Sequence, residues 1–501
     1  MWKEYSASFF LEIRLSVGCF GGKMYYKLCD DVLFRKYKEF GYLTDNLEFG
    51  YHMLNGPRRY HKEKYVSEIG AVMLSELGRT PKHIDSIVSN LMNIFRGVDY
   101  DTLRQDTEEF YHGFINDGFL LAGVDITACN DCQIHIPENS SNSNNITSEN
   151  TNNCAKDLFD PKDFLKSIHI EIASECNERC IHCYIPHEEK TKAISPELFY
   201  RLVEEGRELN IINVILSGGE PLLHKSIIPF LRKCRELDLS VNVLTNLTLL
   251  TDDVVNEMKM NPLISVQTSL YSIDPEIHDK ITLKKGSCEK TKSGILRLIS
   301  EGIPVQISCP IMKQNKESFY DVIQWGAKNN IGVVTEPVIF AAYDHSNNNL
   351  ANRLEIDEMA NVIDKMLPEG YAKSMRQLAE EKENQKADYP ICSICRFNIC
   401  VSAEGNVFPC VGWQTNVIAN LKHESIRDIW ESSQKVQSLR QIKRSSFPKC
   451  IDCKDRGYCT VCMMSNSNEN TNGDAFSIDE YHCRVASLIH NKVDSYFQSE
   501  E

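Results

Sequence analysis

The placement of cysteine constrains this chain more than any other feature. Of its 20 cysteines, nine lie between Cys392 and Cys483, and three more, Cys176, Cys180 and Cys183, fall within eight residues. Disulfide scaffolds belong to short secreted chains, whereas such clusters in a 501-residue chain point to bound metal. The start does not read as a secretory signal, because Phe9-Phe10-Leu11 is broken at once by Glu12 and Arg14. No apolar run reaches the ~18 residues of a membrane-spanning helix. With Lys+Arg 55 against Asp+Glu 70, the formal charge of −15 argues against a nucleic acid or an anionic membrane as partner. The expected location is cytoplasmic.

Eleven of the fifteen residues from Asn139 to Asn153 are Asn or Ser, too polar to offset the entropy of ordering them. A linker over 124–160 is therefore expected, after a small α+β unit over 24–123. In that unit, Tyr25–Tyr37 and Tyr42–Leu54 read as extended pieces of a sheet. A first helix is expected to bury Ile69, Val72, Met73 and Leu77. A second opens at Thr80-Pro81 and carries Ile84, Ile87, Val88 and Leu91. A third opens near Asp101, carries Leu103, Phe110 and Phe114, and stops at Asn116-Asp117-Gly118. Beyond the linker, strands are expected at 167–172, 213–217, 240–245, 264–270, 304–311 and 332–339, with helices such as 196–209 and 225–237 between them. Strands joined by helical crossovers make a parallel sheet, so the fold class is α/β, with a partial six-unit barrel over 161–354. A helical connector over 355–390 leads to a cysteine-dense domain over 391–490.

Cys176-x3-Cys180-x2-Cys183 follows the first barrel strand directly. Three thiolates on one loop at the C-terminal face of a barrel hold three irons of a four-iron cluster and leave the fourth open for chemistry. The competing reading is a zinc loop completed by His182. Gly218-Gly219-Glu220-Pro221 closes the second strand at the same face. Its glycines permit close backbone approach to a ligand, and Glu220 offers a carboxylate to a cationic amine. Together these residues resemble the radical S-adenosylmethionine (radical SAM) superfamily. The resemblance implies that Cys176, Cys180 and Cys183 bind the catalytic cluster and that Gly218, Gly219, Glu220 and Pro221 hold the methionine amino group. It implies further contacts to the cofactor from Asn246, after Thr245 at the end of strand three, and from Ser269, which ends strand four. Where the family has an aromatic residue before the third cysteine, this chain has His182.

The C-terminal cysteines resemble the SPASM extension of peptide-modifying radical SAM enzymes, which binds two auxiliary four-iron clusters. Ser402–Cys410 reads as a β-hairpin turning at Glu404-Gly405, and Ile426–Trp430 as the helix that follows. The resemblance assigns Cys450, Cys453, Cys459 and Cys483 to one cluster, and Cys392, Cys410 and Cys462 to the other. The fourth ligand of the latter is Cys400 or Cys395, with Cys400 favoured because the β period turns it toward the cluster. The x2 spacing before Cys462 departs from the usual x3. A pair of zinc knuckles is the alternative for this tail.

The N-terminal unit is similar to the peptide-chaperone fold of pyrroloquinoline quinone biosynthesis, called a RiPP recognition element when fused to maturases of ribosomally made, modified peptides. The alternative is a generic winged-helix unit. The resemblance implies a radical SAM peptide maturase of the thioether-forming sactipeptide or ranthipeptide type. Its cofactors would be SAM and three four-iron clusters, one catalytic and two auxiliary. Its partners would be a precursor peptide bound by its leader and an electron donor such as flavodoxin or ferredoxin. A carbon–carbon crosslink, or oxidation of a cysteine or serine, is the enzymatic alternative. A non-catalytic iron–sulfur or zinc protein that binds a peptide is the contrasting class, and the Gly218–Pro221 turn speaks against it. Cys129 and Cys132, with Cys154, form a weak metal pattern, while Cys19, Cys29, Cys234, Cys288 and Cys309 read as small buried residues. Met1–Lys23 reads as an extension, either non-native leader ahead of a start at Met24 or a segment packing through Phe9, Phe10 and Leu11.

Overall fold

The computed structural model describes residues 24–45, 49–51, 63–130, 164–186, 191–367 and 370–500. Met1–Lys23, the Asn/Ser-rich stretch, Cys132 and Cys154 lie outside the described residues. Two compact units emerge, one holding 24–43 and 64–130, the other most of the remainder.

In the first unit, β1 (Tyr25–Leu28) pairs antiparallel with β5 (Lys82–His83) and β6 (Leu120–Gly123). A second three-stranded sheet runs in the order β2 (Val32–Lys36), β3 (Phe40–Asp45), β4 (Glu63–Ser67). Helix α1 (Glu68–Leu74) differs from the expected face. Gly70, Ala71, Met73 and Leu74 are buried, while Ile69 is 61% exposed. Ser67 caps this helix by accepting from Gly70 N–H at 3.3 Å, and that start sets a phase that apolar periodicity alone did not reveal. Helix α2 (Ile84–Met92) opens after His83 rather than at Pro81, because Lys82 and His83 are drawn into β5. It buries the expected Ile84, Ile87, Val88 and Leu91. Helix α3 (Tyr100–Asn116) is capped by Asp99, whose carboxylate accepts from Thr102 N–H at 2.9 Å. The expected linker begins too early: α4 (Ile126–Asn130) continues this unit, and its Cys129 is fully buried with Sγ toward Leu121 O, as a core residue.

The second unit is built on one nine-stranded sheet. Its parallel part orders β12 (Gly332–Glu336), β11 (Val305–Pro310), β10 (Ile264–Ser269), β9 (Ser240–Leu244), β8 (Asn213–Gly218) and β7 (Ser167–Ala173), each step joined by helices such as Pro196–Glu208 and Ile227–Glu236. The six strands lie within a few residues of their expected positions. Alternation divides the sheet into two faces. Ile168, Ile170, Val214, Leu216, Val241, Val243, Val266 and Ile307 are fully buried in the core, and the Pro196–Glu208 helix presses against this face through Gly206 beside Ile168. In register across the other face stand Ser167, His169 and Glu171 of β7, Asn213 and Ser217 of β8, Asn242 of β9, Ser265 and Gln267 of β10, and Gln306 and Ser308 of β11. Their amides and hydroxyls satisfy one another: Ser167 donates to Asn213 at 2.9 Å, Ser265 to Asn242 at 3.2 Å, and Gln267 to Gln306 at 2.7 Å.

The sheet continues past β7. Strand β13 (Asn398–Val401) pairs parallel with β7, placing Cys400 opposite His169, and β14 (Asn406–Phe408) and β15 (Ala419–Asn420) follow antiparallel. The cysteine-rich hairpin is thus an extension of the barrel sheet. Its turn falls at Gly405, whose φ of +83° suits glycine.

Candidate functional site

Chain entering the Cys176 loop is fixed by the turn after β8. Gly219 N–H donates to Ala173 O at 2.7 Å and Glu220 N–H to Glu175 O at 2.8 Å. A Cβ on Gly218 (φ +129°) would stand 1.9 Å from Ala173 O, and one on Gly219 2.3 Å from Glu175 O. The glycines therefore let the chain approach its own backbone immediately before Cys176. Glu220 closes the same turn. Fully buried, it accepts from Leu222 N–H (2.8 Å), the Thr245 hydroxyl (2.6 Å) and Asn246 N–H (2.8 Å). Burial pushes its carboxyl up to about 7 against the pull of those donors. Its oxygens brace the ends of β8 and β9.

Asn246 ties that brace to the cysteine loop. Its amide donates to Asn177 Oδ1 at 2.9 Å, Asn177 donates to the Thr248 hydroxyl at 2.7 Å, and that hydroxyl donates back to Asn246 Oδ1 at 2.7 Å. On the other side, Arg179 and Ile181 N–H groups donate to Thr282 and Ile281 carbonyls. Glu178, buried inside the loop, accepts from the Ser287 hydroxyl and from Cys180 Sγ at 3.8 Å. Ser269 lies at the end of β10 and hydrogen-bonds Tyr271, whose hydroxyl burial pushes well above its ordinary value. The Tyr271 hydroxyl reaches Cys180 Sγ at 3.9 Å and His182 Nε2 at 3.4 Å, and the His182 ring meets Tyr271 edge-on with centroids 5.0 Å apart. Asn177, Glu178 and Tyr271 escaped the sequence reading, although each lies within two residues of a residue it named.

The thiols converge. Burial, the charge of Glu178, and then Cys183 and Cys176 push the Cys180 thiol well above its ordinary value. In the C-terminal region, Cys450, Cys453, Cys459, Cys462 and Cys483 line one cavity of about 340 Å³, ringed by Lys382, Arg444 and Arg456. Burial and then Cys483, Cys450 and Cys453 raise Cys459 to about 11. Burial and then Cys462 and Cys392 raise Cys410. Cys400 is raised by burial, then by Cys410, Glu171 and Cys395; Cys395, raised to about 12 by burial, also feels Cys392 and Cys410. Cys410 is thus among the charges that raise both alternative ligands.

A radical SAM superfamily model matches residues 170–326, and a model of an iron–sulfur cluster-binding domain, SPASM, matches residues 373–454. The chain carries a radical SAM domain and a SPASM domain. The SPASM match begins inside the helix Tyr371–Glu383, so the second half of the expected connector belongs to that domain, and this helix supplies Lys382 to the cysteine-lined cavity. An AdoMet-dependent heme synthase of Methanosarcina barkeri is 25% identical over 321 residues, covering 58% of this chain and 89% of that protein. The antilisterial bacteriocin subtilosin biosynthesis protein AlbA of Bacillus subtilis is 25% identical over 324 residues, covering 60% and 67%. Among solved structures, Streptococcus suis SuiB bound to precursor peptide SuiA aligns with a TM-score of 0.58 at 15% identity, covering 91% of this chain and 99% of SuiB. Native anSMEcpe with bound AdoMet gives 0.52 at 14% identity, covering 66% and 98%. At such identities the likeness speaks for the fold.

SAM and four-iron clusters are the cofactors these two domains imply, and the donor chemistry fits them. Thiols raised by burial and by one another need a cationic centre to become thiolates, and iron supplies it. Lys382, Arg444 and Arg456 around the cysteine-lined C-terminal cavity offset the net negative charge of a thiolate-ligated cluster. Two residues of the radical SAM domain were missed entirely. His169 and Glu171 sit on the polar face of β7, and the alternation Ser167-Ile168-His169-Ile170-Glu171-Ile172 was the available signal. Burial lowers His169 to about 4, keeping it neutral beside Ser217. The same burial pushes Glu171 up to about 7, against the Gln414 amide at 2.7 Å and the Tyr184 hydroxyl.

No helix among the described residues is long and apolar enough to cross a membrane.

Proposed function

We propose that this protein is a peptide maturase that forms a thioether crosslink between a substrate cysteine and a carbon of another residue. The observation that carries the reading is the junction of β7 and β13. One strand leads into the Cys176 loop, and its neighbour carries Cys400 into the hairpin that Cys410 follows, so the catalytic loop and these two auxiliary cysteines are held on one sheet. A peptide lying there meets both.

In this reading Cys176, Cys180 and Cys183 hold the catalytic cluster, while the Gly218–Pro221 turn, Asn246 and Ser269 border SAM. Cys450, Cys453, Cys459 and Cys483 hold one auxiliary cluster. Cys392, Cys410 and Cys462, with Cys400 or Cys395, hold the other. When bound, SAM and its cluster supply an organic radical that takes a hydrogen atom from an unactivated carbon. The chain itself positions the peptide, keeps water out, and holds the loop through Asn177, Asn246 and Glu220. The unit over 24–130 binds the leader as an added strand along a sheet edge, a mode that needs only exposed backbone and a groove walled by a helix. AlbA's role in subtilosin biosynthesis and SuiB's precursor complex support a peptide substrate. An electron donor of the flavodoxin or ferredoxin type completes the system.

The test is anaerobic reconstitution. The native chain should hold about twelve irons, and the triple Cys176/Cys180/Cys183→Ala variant about eight, since one of three four-iron sites is lost. The native protein should form 5′-deoxyadenosine and yield a precursor lighter by two hydrogens, with its cysteine blocked to alkylation. Production of 5′-deoxyadenosine by the triple variant would overturn the assignment of the site. A precursor that loses two hydrogens yet keeps a free thiol would replace the thioether by a carbon–carbon bond.

A further inference from the structure

Two buried side chains reach Cys180 Sγ. Glu178 accepts from it at 3.8 Å, and the Tyr271 hydroxyl donates to it at 3.9 Å. Glu178 belongs to the cysteine loop itself, whereas Tyr271 stands 91 positions further along, just after β10. Tyr271 is only 4% exposed, and a rigid frame holds it. Its backbone N–H donates to His278 Nδ1 at 3.3 Å, which leaves the other ring nitrogen of His278 to the Ser287 hydroxyl at 3.3 Å. Its carbonyl accepts from Asn315 Nδ2 at 2.9 Å. Asn315 is fully buried and tied in turn to Met312 N–H at 2.7 Å and Pro310 O at 3.0 Å. The ring packs with Ile281, Met312 and Ile339. The phenol is therefore aimed at Cys180 by its surroundings and not by the sulfur.

The direction of the phenol proton follows from its neighbours. The oxygen meets the Ser269 side chain, which donates to it, His182 Nε2 at 3.4 Å and Cys180 Sγ at 3.9 Å. A phenol has one proton to donate, so His182 and Cys180 compete for it. An iron-bound cysteine has no proton of its own and is the ionised acceptor of the two. Hydrogen bonds to ionised acceptors are roughly twice as strong as those between neutral groups. The proton goes to sulfur, and His182 turns an N–H toward the phenol oxygen. This gives a purpose to histidine where an aromatic residue is expected. A phenyl ring there would stack on Tyr271 but has no N–H to offer its oxygen.

We propose that Tyr271 raises the reduction potential of the cluster held by Cys176, Cys180 and Cys183, by donating a hydrogen bond from its hydroxyl to Cys180 Sγ. Reduction adds one electron from the external donor and moves no proton, so the cluster becomes more negative by one charge. A donor on a ligand sulfur is worth more in that state, and hydrogen bonds to cluster sulfurs are one of the levers that set such potentials. The inference rests on the assignment of these three cysteines and deepens it by naming the side chain that makes their cluster easier to reduce.

The test is a redox titration of the anaerobically reconstituted full chain, followed by electron paramagnetic resonance. The catalytic signal is the one that SAM perturbs and that the triple Cys176/Cys180/Cys183→Ala variant lacks. Tyr271→Phe keeps the ring and its packing and removes the hydroxyl alone. Its catalytic midpoint should fall by about 59 mV, the one-electron equivalent of a tenfold loss in the reduction equilibrium, which lies within the worth of one hydrogen bond to a charged group. The auxiliary midpoints should stay. In a second protein 3-fluorotyrosine replaces Tyr271; it has nearly the same shape and a more acidic hydroxyl, and should move the catalytic midpoint upward. An unchanged midpoint in an iron-replete Tyr271→Phe protein, or no rise with 3-fluorotyrosine, would overturn the proposal. If Tyr271→Phe binds less iron, the fluorinated protein decides alone. A native protein without a SAM-responsive signal, or a triple variant that keeps one, would instead refute the assignment of the cysteines, so the two failures are separable.

Discussion

Replacing Gly219 with Ala tests the link between the turn after β8 and the cysteine loop. The new methyl group would stand 2.3 Å from Glu175 O and 2.4 Å from Ser174 O. Real Cβ contacts are not closer than about 3.0 Å, so the Ser174–Glu175 backbone must retreat by at least 0.7 Å (3.0 − 2.3). It is backbone on both sides, held by Glu220 N–H on Glu175 O at 2.8 Å, and no rotamer change relieves it. Losing that hydrogen bond and overpacking the turn costs about 2–4 kcal/mol in stability. Cys176 is the next residue, so the displacement falls on the first thiol of the triad. Gly219→Ala should bind about eight irons rather than about twelve and form no 5′-deoxyadenosine, while the auxiliary signals in electron paramagnetic resonance persist. The control is Gly302→Ala, at φ +76° with open space around it. It bears backbone strain of about 1 kcal/mol but no collision, and should keep all its iron. A Gly219→Ala protein with full iron content and native SAM cleavage would show that the turn does not hold the loop.

Two further outcomes follow from side chains. Single Cys395→Ala and Cys400→Ala variants should differ, one losing the auxiliary cluster beside Cys410 and the other keeping it; iron content with Mössbauer spectra reads which, and equal retention by both would remove the two from the ligand set. Arg353→Met should destabilise the second unit by about 3 kcal/mol, because Arg353 and Glu469 are only 9% and 7% exposed and the bidentate pair leaves an uncompensated carboxylate when broken; chemical denaturation measures this, and a loss under about 1 kcal/mol would show that protonation of Glu469 absorbs it.

Much of this protein is written locally. The strands of the barrel follow from alternation of β-branched residues bounded by Gly, Pro and Asn, and the strand ends place Cys176, Gly218 and Ser269 at one edge of the sheet without any knowledge of packing. Cysteine spacing likewise separates the catalytic loop from the auxiliary region, because ligands on one loop are fixed by the reach of a few residues. Other features depend on residues far apart in the chain. Strand β5 has two residues and exists only because β1, some 57 positions earlier, offers a partner (82 − 25). The phase of α1 is set by the Ser67 cap and a neighbouring helix, so Ile69 points outward against its own hydrophobicity. Glu220 binds Thr245 and Asn246, since the ends of β8 and β9 meet only in the folded sheet. The pairing of β13 with β7 joins residues more than 200 positions apart, and no local pattern encodes it. That pairing decides where Glu171 stands. Sequence determines which groups can do chemistry, because side-chain type and short spacing are local properties. Tertiary structure alone decides which of them are buried beside one another, because burial is a property of distant chain segments meeting.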